Sequence, residues 1–508
     1  MTSVFDQGPP PPCPAPFNMA QYVLTAGSAT PDKPALAVVT PDRAEEWTYA
    51  QLRAAILGTA TGLLAAGAIP GDRVLMRLGN TVEFPITFLA ALAVGLIPAP
   101  TSALLTAPEV TKIAAEITPK LLVANPSLSL PEALSCPMIT TTDLAKMHSL
   151  PPADFAMGDP NRPGYIIYTS GTSGVPRAVT HAHRAIWARR MMWDGWYGLT
   201  AADRLLHAGA FNWTYTLGTG LMDPWAVGAT ALIPGQGVKP SDLPALLHSY
   251  SATIFAAAPG VYRQMLRHNM PALQNLRHGL SAGEKLPDVT RQTWADKTGT
   301  AIHEAFGMSE CSTFVSGSPA RPALPGTLGY PQTGRRIAVM ADEKIAPLGS
   351  PGTLAVGAGD PGLMLGYWDK AAQKPQPVVG DWFVTGDTVS MAEDGAITYL
   401  GRADDMMNAG GVRVSPIEVE TMLNTHPDIQ ECAAVELRLK ADTSVIAAFY
   451  VAETEIDRAD LDQFAASRLA RYKAPRIYTR VAALPKNPNG KIQRRNLRET
   501  YEADHGQT

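Results

Sequence analysis

The sequence predicts an α/β protein with a large N-terminal domain and a small C-terminal domain. Apolar, strand-like runs such as residues 34–39 alternate with helix-like segments such as residues 48–67. This alternation is typical of helices layered on largely parallel sheets. From about Gly326 the pattern changes to short strands separated by glycine turns, and after Gly401 a new strand–helix pattern begins. A chain of 508 residues is also too long for a single hydrophobic core.

These patterns divide the chain into parts. We expect residues 1–401 to form two α/β layered subdomains together with a small β-barrel-like part. Residues 402–404 are predicted to connect this N-terminal domain to a small, mobile α+β domain at residues 405–508. The C-terminal hundred residues carry many lysines and arginines, which distinguishes them from the rest of the chain.

Composition and charge restrict the possible classes of function. The net charge of -4 provides no global basic field for nucleic acid, so any anion binding must be local. The four cysteines are scattered without a CxxC pair, which argues against a disulfide framework or a zinc site. The N-terminal segment lacks the basic and apolar regions of a signal peptide. We expect a cytoplasmic protein, monomeric or homodimeric, that does not bind nucleic acid.

One uncharged stretch, residues 84–108, is long enough to be compared with a membrane span. Pro98 and Pro100 divide it, and Gly95 comes just before them. Proline and glycine at these positions interrupt a continuous helix. We therefore expect a buried helix from about Glu83 to Val94, followed by a short strand and a turn, and no membrane span.

A run of small residues follows the apolar stretch that ends at Tyr168. Consecutive backbone N–H groups in such a loop, together with its hydroxyl groups, can surround phosphate oxygens. The run consists of Thr169, Ser170, Gly171, Thr172, Ser173 and Gly174. It does not match the Walker A pattern, and a flexible polar loop is the alternative interpretation. Arg177 comes shortly after it and could contact a phosphate group.

Residues 279–283 match the G-x-S-x-G pattern of hydrolase nucleophiles, with Ser281 in the nucleophile position. A hydrolase would also need an acid and then a histidine further along the chain. His303 is too close in sequence, and His505 lies in the tail. Because the pattern is short and common, a serine hydrolase is kept only as an alternative.

Three further segments place charged side chains near predicted turns. Residues 303–310 offer an aromatic ring, a glycine and the Glu310 carboxylate, which could stack on a base and hold a divalent metal. Asp387 follows a predicted strand and could accept two hydrogen bonds from a ribose diol, with Arg402 fifteen residues further on. Lys491 follows a predicted tight turn. Taken singly, each of these charges could be an ordinary solvated side chain.

In this order and spacing, the motifs resemble those of the adenylate-forming superfamily, which includes acyl-CoA synthetases, luciferases and peptide-synthetase adenylation domains. The signatures YTSGTTGxPKG, YGxTE, TGD, GRxDD and PxxxxGK are similar, in this order, to residues 168–178, 306–310, 385–387, 401–405 and 485–491. The resemblance covers nearly the whole chain. Within the superfamily, residues 207–235 are most similar to benzoate-type and medium-chain acyl-CoA ligases.

The resemblance implies ATP-dependent ligation of a carboxylic acid to coenzyme A. The acid forms an acyl-AMP with release of pyrophosphate, the thiol of CoA then attacks it, and Mg²⁺ accompanies ATP. The implied catalytic residues are Lys491, Glu310, Ser309 and Arg177, and the implied metal ligands are Glu310 and Thr172. The implied ATP-binding residues are Thr169, Ser170, Gly171, Thr172, Ser173, Gly174, Ser281, Ala282, Gly283, Glu284, Glu304, Ala305, Phe306, Gly307, Asp387, Tyr399 and Arg402.

The resemblance also assigns residues to domain movement, to CoA and to the acid. Asp404 is implied as the hinge, and Gly410, Gly411 and Arg413 are implied as CoA-binding residues. The implied acyl pocket consists of Phe211, Asn212, Trp213, Tyr215, Gly218, Ala282, Ala305, Gly307, Leu328 and Gly329. An aromatic wall favours a flat, benzoate-like acid. No arginine or lysine falls between His207 and Lys239, which argues against a dicarboxylate.

The chain departs from the superfamily pattern at a few positions. Arg177 replaces the usual lysine, Ala178 the usual glycine, and Asn408 a common lysine. Arginine keeps the positive charge but presents it as a planar fork. A medium-chain fatty acid is the alternative substrate, and a luciferase-like oxygenase is an alternative function. A peptide-synthetase adenylation domain is disfavoured, because the chain ends soon after Lys491.

Overall fold

The computed structural model describes residues 2–169, 176–403, 405–409, 412–440, 443–486 and 490–505. Its largest element is a nine-stranded sheet, the central sheet. The inner strands of this sheet pair in parallel, and antiparallel strands close both edges. In spatial order the strands are Tyr330–Pro331, Ser312–Ser316, Ile302–Met308, His278–Ala282, Ile254–Ala257, Arg204–His207, Thr230–Pro234, Pro34–Val39 and Ala44–Thr48.

Two four-stranded sheets accompany the central sheet in the N-terminal part of the chain. The first is parallel, with the spatial order Ile97–Pro100, Arg73–Arg77, Leu121–Ala124 and Met138–Thr140. The second is antiparallel, with the order Lys374–Pro377, Gly366–Asp369, Arg177–Ala182 and Pro163–Thr169. The second sheet holds the strand that leads into the predicted small-residue loop.

The predicted barrel-like part is an antiparallel sheet of six strands, the antiparallel sheet. Its spatial order is Val4–Asp6, Arg336–Ala341, Gly352–Gly357, Trp382–Met391 and Ile397–Arg402, with Lys344–Ile345 paired to the second strand. The N-terminal strand is therefore joined to segments more than 300 residues away in the sequence. Val4–Asp6 thereby forms one edge of the sheet.

The C-terminal part is a small α+β unit. A hairpin of strands Met407–Ala409 and Val412–Val414 precedes it. Its sheet has the order Glu431–Lys440, Thr443–Val451 and Ile477–Arg480. Its helices are Pro416–Leu423, Arg458–Ala466 and Arg494–His505. The predicted α/β fold with a large N-terminal and a small C-terminal domain is confirmed.

The remaining helices cover the sheets of the N-terminal part. The α-helices are Met19–Thr25, Tyr49–Ala65, Glu83–Ala93, Ala107–Ile117, Thr141–Met147, Ala185–Ala188, Asp223–Val227, Leu243–Ser249, Pro259–Met265 and Asp288–Thr298. A 3₁₀ turn occupies Ala26–Ala29, and π-helical turns occupy Trp193–Tyr197 and Thr216–Met222. The helix and strand predicted in the uncharged stretch are confirmed as Glu83–Ala93 and Ile97–Pro100.

Local signals in the sequence explain where these helices begin and how they pack. Helix Tyr49–Ala65 begins with a capping box, in which Thr48 Oγ1 accepts from Gln51 N–H and Gln51 Oε1 accepts from Thr48 N–H. Helix Glu83–Ala93 is buried on nearly every face, which explains its lack of charge after the first residue. Within the described ranges, no helix combines the length and apolarity that crossing a bilayer requires.

Candidate active site

The site predicted from the sequence lies in a cleft of about 1210 Å³ between the N-terminal and C-terminal parts of the chain. Parallel strands of the central sheet end at this cleft, the usual location of ligand sites in open α/β sheets. Segments that are distant in sequence meet along its walls. The predicted site residues that line it are Thr169, Arg177, Asn212, Trp213, Tyr215, Ala282, Gly283, Glu284, Glu304, Ala305, Phe306, Gly307, Ser309, Glu310, Leu328, Asp387, Tyr399, Arg402 and Lys491.

One wall of the cleft carries the Asp387 carboxylate. Its Oδ1 atom accepts a hydrogen bond of 3.0 Å from the Tyr399 hydroxyl group, and Arg402 Nη1 lies 3.5 Å from its Oδ2 atom. The paired strands Trp382–Met391 and Ile397–Arg402 bring these three side chains together. Asp387 lines the cleft, and a carboxylate there is a hydrogen-bond acceptor of the kind that hydroxyl groups pair with.

Aromatic rings lie beside this carboxylate. The ring centroids of Phe306 and Tyr399 are 5.4 Å apart, and those of Phe306 and Phe314 are 5.6 Å apart in an edge-to-face arrangement. Both Phe306 and Tyr399 line the cleft. They form an apolar surface next to a hydrogen-bond acceptor, which suits a planar base linked to a diol.

The predicted ATP-binding residue Glu304 is bonded within the protein. Its Oε2 atom accepts a hydrogen bond of 2.8 Å from Arg291 Nη2, and its Oε1 atom accepts one of 2.9 Å from Leu286 N–H. Burial raises the pKa of this carboxyl group, and Arg291 opposes that rise. Glu304 thereby anchors the loop that follows Gly283.

A second carboxylate, that of Glu310, lies just after strand Ile302–Met308. Its Oε1 atom accepts a hydrogen bond of 2.8 Å from the Tyr367 hydroxyl group. Burial and the neighbouring Glu310 raise the pKa of Tyr367 to about 12, so the phenol remains a donor. The Arg177 guanidinium lies 5.1 Å from the centroid of the Tyr367 ring. The three side chains form one connected unit.

Lys491 reaches the same cleft from the C-terminal part. The preceding residue, Gly490, passes close to Glu284, since a Cβ atom there would lie 3.5 Å from Glu284 Oε1. Burial raises the pKa of Glu284 to about 7, and the cations Lys486, Arg263 and Lys491 oppose that rise. The catalytic lysine predicted from the sequence is therefore next to a carboxyl group that titrates near neutral pH.

An ion-pair bridge joins the two parts of the chain beside this lysine. Arg263 of the N-terminal part donates to Glu431 Oε1 over 2.8 Å. Lys486 of the C-terminal part donates to Glu431 Oε2 over 2.9 Å. The side chains of Arg263 and Glu431 are 24% and 18% exposed, so the bridge is partly shielded from water. The sequence alone does not predict this bridge, because Arg263 and Glu431 belong to no motif and Lys486 occupies a variable position of the segment 485–491.

The predicted acyl end of the cleft has an aromatic wall. The rings of Trp213 and Tyr215 are 5.3 Å apart at an angle of 88°. Trp213 packs on the backbone at Gly283, where a Cβ atom would lie 2.6 Å from Trp213 Cζ2. Small residues at 282 and 305 leave the space beside these rings open. The arrangement suits a flat, apolar group.

Some predicted pocket residues are placed behind this wall. Phe211 is buried in the core and packs on Phe84 at 5.4 Å. Gly329 adopts a φ of 102° and lies against the backbone of the neighbouring strand Ser312–Ser316. Gly218 packs directly against the guanidinium group of Arg189, since a Cβ atom at this position would lie 2.2 Å from Arg189 Cζ. Ser281 is fully buried as well.

The guanidinium behind Gly218 belongs to a buried polar network that no sequence motif marks. Arg189 Nη2 and Asp223 Oδ2 are 2.6 Å apart, with side chains 6% and 0% exposed. Burial alone lowers the pKa of Arg189, but the adjacent Asp223 carboxylate raises it above its ordinary value. Tyr197 donates to the same carboxylate over 2.8 Å. An arginine in a helical segment gives no signal of such burial before the fold is known.

Part of the predicted site falls outside the described residues. Ser170, Gly171, Thr172, Ser173, Gly174, Asp404, Gly410 and Gly411 are in this group. Arg413 is described only as part of the strand Val412–Val414.

Fold and site together define an adenylate-forming enzyme. The chain belongs to the AMP-binding enzyme family, which matches residues 24–368, and the AMP-binding enzyme C-terminal domain matches residues 418–491. The resemblance seen in the sequence motifs is thereby confirmed.

Curated relatives and solved structures extend over most of the chain. The 3-hydroxybenzoate–CoA ligase of Aromatoleum sp. (strain CIB) is 27% identical and covers 90% of this chain and 92% of its own. The benzoate–CoA ligase of Thauera aromatica is 29% identical and covers 90% and 91%. The crystal structure of the anthranilate CoA ligase AuaEII in complex with anthranoyl-AMP has a TM-score of 0.87 at 27% identity, covering 97% of this chain and 99% of its own.

Proposed function

We propose that this protein is an AMP-forming ligase that joins an aryl carboxylic acid to coenzyme A. The observation that carries the proposal is the meeting of Lys491, Glu310, Asp387 and Arg402, from four separate segments, in one cleft. Its relatives act on 3-hydroxybenzoate and benzoate. The aromatic wall of the cleft supports a substrate of the same kind.

The reaction begins with two anions, so positioning and cationic stabilisation dominate its barrier. A carboxylate oxygen of the acid attacks the α-phosphorus of ATP, and the bond to pyrophosphate breaks. Lys491 lies between the two reactants and stabilises the charge that develops on the α-phosphate. Asp387 and Arg402 hold the ribose, and Phe306 stacks against the adenine. No general base is required, because a carboxylate is already a nucleophile.

The second step transfers the acyl group. The CoA sulfur attacks the acyl carbon of the acyl-AMP, AMP leaves with the bonding electron pair, and the thiol proton passes to solvent. We assign the approach of CoA to the segment around Gly410, Gly411 and Arg413.

We propose a domain boundary at residues 402–404, with residues 1–401 and 405–508 on either side. The end of strand Ile397–Arg402 supports this boundary.

Magnesium is proposed to bind beside the phosphates. Glu310 Oε1 accepts from Tyr367, while Oε2 has no protein donor among the residues that the structure describes. A carboxylate oxygen of this kind fits Mg²⁺, which prefers oxygen ligands. Glu310 and Thr172 would hold the ion, which would neutralise charge on the departing pyrophosphate. Arg177 and the loop at residues 169–174 would hold the phosphates themselves.

The test is pyrophosphate release with a panel of acids, each measured with and without CoA. Benzoate or a substituted benzoate is expected to give pyrophosphate and, with CoA, an aryl thioester. Turnover of hexanoate or octanoate instead would establish the alternative, a medium-chain substrate. Oxygen-dependent light emission from a supplied acyl-AMP would favour the luciferase-like alternative, and ester hydrolysis without ATP would favour a serine hydrolase.

A variant separates the two half-reactions. Lys491→Ala is expected to slow acyl-AMP formation about 100-fold or more, because the cation at the developing charge is lost. It should still convert supplied benzoyl-AMP and CoA into thioester. Lys473→Ala is a matched control in the same C-terminal part, where Lys473 pairs with Glu418. Equal loss of both half-reactions in Lys491→Ala would contradict the assigned role.

We also propose that the protein works in the cytoplasm. All of its cysteines are unpaired, which suits a reducing compartment.

A further inference from the structure

The buried network behind Gly218 extends to the surface of the cleft. Arg189 Nε donates to Asp223, and Nη2 donates to Tyr197 over 2.9 Å and to Thr219 over 3.2 Å. Its remaining terminal nitrogen, Nη1, donates to Ser312 Oγ. Ser312 lines the cleft and is partly exposed there. The network therefore ends in a hydroxyl group at the site.

The bond from Arg189 fixes the role of that hydroxyl group. A guanidinium has only donors, so Ser312 Oγ must accept this bond. The Ser312 proton must then point elsewhere and donate. Among the residues described, no protein atom accepts it. The cleft surface at this position consequently offers a hydrogen-bond donor that is oriented by a buried cation.

The backbone at Ser312 adopts a strained conformation, as residues at ligand-binding sites often do. Ser312 has a φ of 61°, a left-handed conformation that costs energy for a residue with a side chain. It faces a register shift between Phe306 and Gly307 on the paired strand. Gly307 permits the close approach, since a Cβ atom there would lie 2.1 Å from the Ser312 carbonyl oxygen. The fold thus holds the Ser312 side chain in one place.

We propose that Ser312 is a specificity-determining residue that donates a hydrogen bond to an oxygen substituent on the aryl acid. The proposal rests on the proposed function and names its substrate class more closely, as hydroxy- or alkoxy-substituted benzoates. An unsubstituted ring at this position would leave the Ser312 proton unpaired against apolar surface, which is unfavourable. Sites built to pair with a substrate hydroxyl group reject analogues that lack it.

The test compares kcat/KM for benzoate with kcat/KM for 2-, 3- and 4-hydroxybenzoate and their methoxy counterparts. The wild-type enzyme is expected to prefer at least one oxygen-substituted acid over benzoate by about 10- to 100-fold, the range of one well-placed hydrogen bond. Ser312→Ala is expected to abolish that preference, chiefly by lowering activity on the substituted acid.

Two further variants test whether the loss of preference in Ser312→Ala is only a structural effect. Ser312→Gly removes the hydroxyl group and also relieves the left-handed backbone, so it should fold at least as well and lose the same preference. Ser316→Ala, on the same strand, removes a hydroxyl group that donates to Gly195 O over 2.7 Å and accepts from Gln332. It should leave the ratio between the two acids unchanged.

The outcomes distinguish this inference from the proposed function. If no aryl acid releases pyrophosphate, the proposed function itself is wrong. The inference is wrong if kcat/KM for benzoate equals that for every substituted acid. It is also wrong if Ser312→Ala and Ser312→Gly lower kcat/KM equally for all acids, because Ser312 then does not distinguish the substituent. Loss of preference in both variants, with the Ser316→Ala ratio intact, supports the inference.

Discussion

Arg177 is the residue at which the chain departs from its family's usual lysine, and its surroundings explain how the departure is accommodated. Its guanidinium packs over the Tyr367 ring at 5.1 Å, and the Tyr367 hydroxyl group donates to Glu310. A planar guanidinium stacks on an aromatic face more extensively than an ammonium group does. Arg177 therefore supports the Glu310 carboxylate through an intervening ring.

For Arg177→Lys we expect the KM for ATP to rise about three- to tenfold, because the stacking contact weakens by roughly 1 kcal/mol. The kcat should change little. Arg190→Lys is a matched control, since Arg190 stacks on Trp187 at 4.1 Å outside the cleft-lining residues. Steady-state kinetics at varied ATP checks both variants, and an unchanged KM in Arg177→Lys would show the departure to be incidental.

Buried histidines make folding stability depend on pH at the scale of single residues. His183 Nδ1 accepts a hydrogen bond of 3.0 Å from Met19 N–H, which requires the neutral ring. Burial and, secondarily, Arg162 lower the pKa of His183 to about 3, from an ordinary value of 6.5. The unfolded chain therefore binds a proton below pH 6.5 that the folded chain does not bind until about pH 3. His183 contributes stability above pH 6.5 and loses it as the pH falls.

The consequence can be measured by urea unfolding at pH 7 and pH 5. Neutral His183 should account for about 2 kcal/mol of the loss in unfolding free energy over that interval, at 1.36 kcal/mol per pH unit below 6.5. His183→Asn keeps an acceptor for Met19 and removes the titration, so it should lose less stability than the wild type. Exposed His268→Asn should behave like the wild type, and equal pH slopes in all three proteins would contradict this account.

At the scale of elements, the sequence predicts local structure well. Strand Pro34–Val39 forms as predicted, and the helix predicted at 48–67 spans Tyr49–Ala65. These succeed because apolar spacing and capping residues act over a few positions. The order of strands in the central sheet did not follow from such signals, since it depends on contacts between distant segments.

The same distinction applies to the candidate site. Charged residues within motifs, such as Asp387 and Lys491, could be proposed from the sequence because their spacing resembles a known pattern, and both line the cleft. Arg189 and Asp223 are 34 positions apart and belong to no motif, so nothing local marks them as partners. Phe211 was expected in the acyl pocket because it is aromatic, yet its ring packs in the core. Whether a side chain faces a cleft or the core depends on the packing of the whole sheet.

Within the antiparallel sheet, strand Trp382–Met391 carries a glycine whose lack of a side chain matters to the site. A Cβ atom on Gly386 would lie 2.3 Å from Arg402 Nη2. The end of a flexible arginine can move aside, so Gly386→Ala should displace Arg402 from Asp387 while the fold survives. We expect the KM for ATP to rise about tenfold, the effect of one weakened charged contact.

Gly359→Ala, in the turn that follows strand Gly352–Gly357, is the control, because a Cβ atom there meets nothing within 4 Å. Thermal unfolding should place both variants within a few degrees of the wild type, as expected for changes below about 1 kcal/mol. A large fall in the melting temperature of Gly386→Ala alone would show that Arg402 cannot move.

At the scale of the whole molecule, the bridge between Arg263, Glu431 and Lys486 connects the two parts of the chain. Arg263→Glu should place like charges opposite each other, weaken the docking of the C-terminal part, and withdraw Lys491 from the cleft. We expect acyl-AMP formation to slow about tenfold, in line with the 1–2 kcal/mol that a partly buried pair contributes. The double variant Arg263→Glu, Glu431→Arg should recover part of that loss.

Rapid-mixing assays of pyrophosphate release measure this effect directly. The matched control is Arg458→Glu, which breaks an exposed pair with Asp462 inside one helix. It should leave the rate unchanged. Arg263→Glu and Arg458→Glu change the net charge by the same amount, so an equally slow Arg458→Glu would assign the effect to net charge instead of to the bridge.

The short N-terminal strand Val4–Asp6 has a consequence for the tendency of the protein to self-associate. It pairs with the first residues of Arg336–Ala341, and Asp6 forms an ion pair with Arg336. Removing residues 1–8 would expose the backbone hydrogen-bonding groups of strand Arg336–Ala341, and an exposed strand edge of this kind can pair with a strand of another molecule. Light scattering should detect self-association of the truncated protein, whereas Asp6→Asn should stay dispersed. The strand Val4–Asp6 thus limits the addition of strands from other molecules to this sheet.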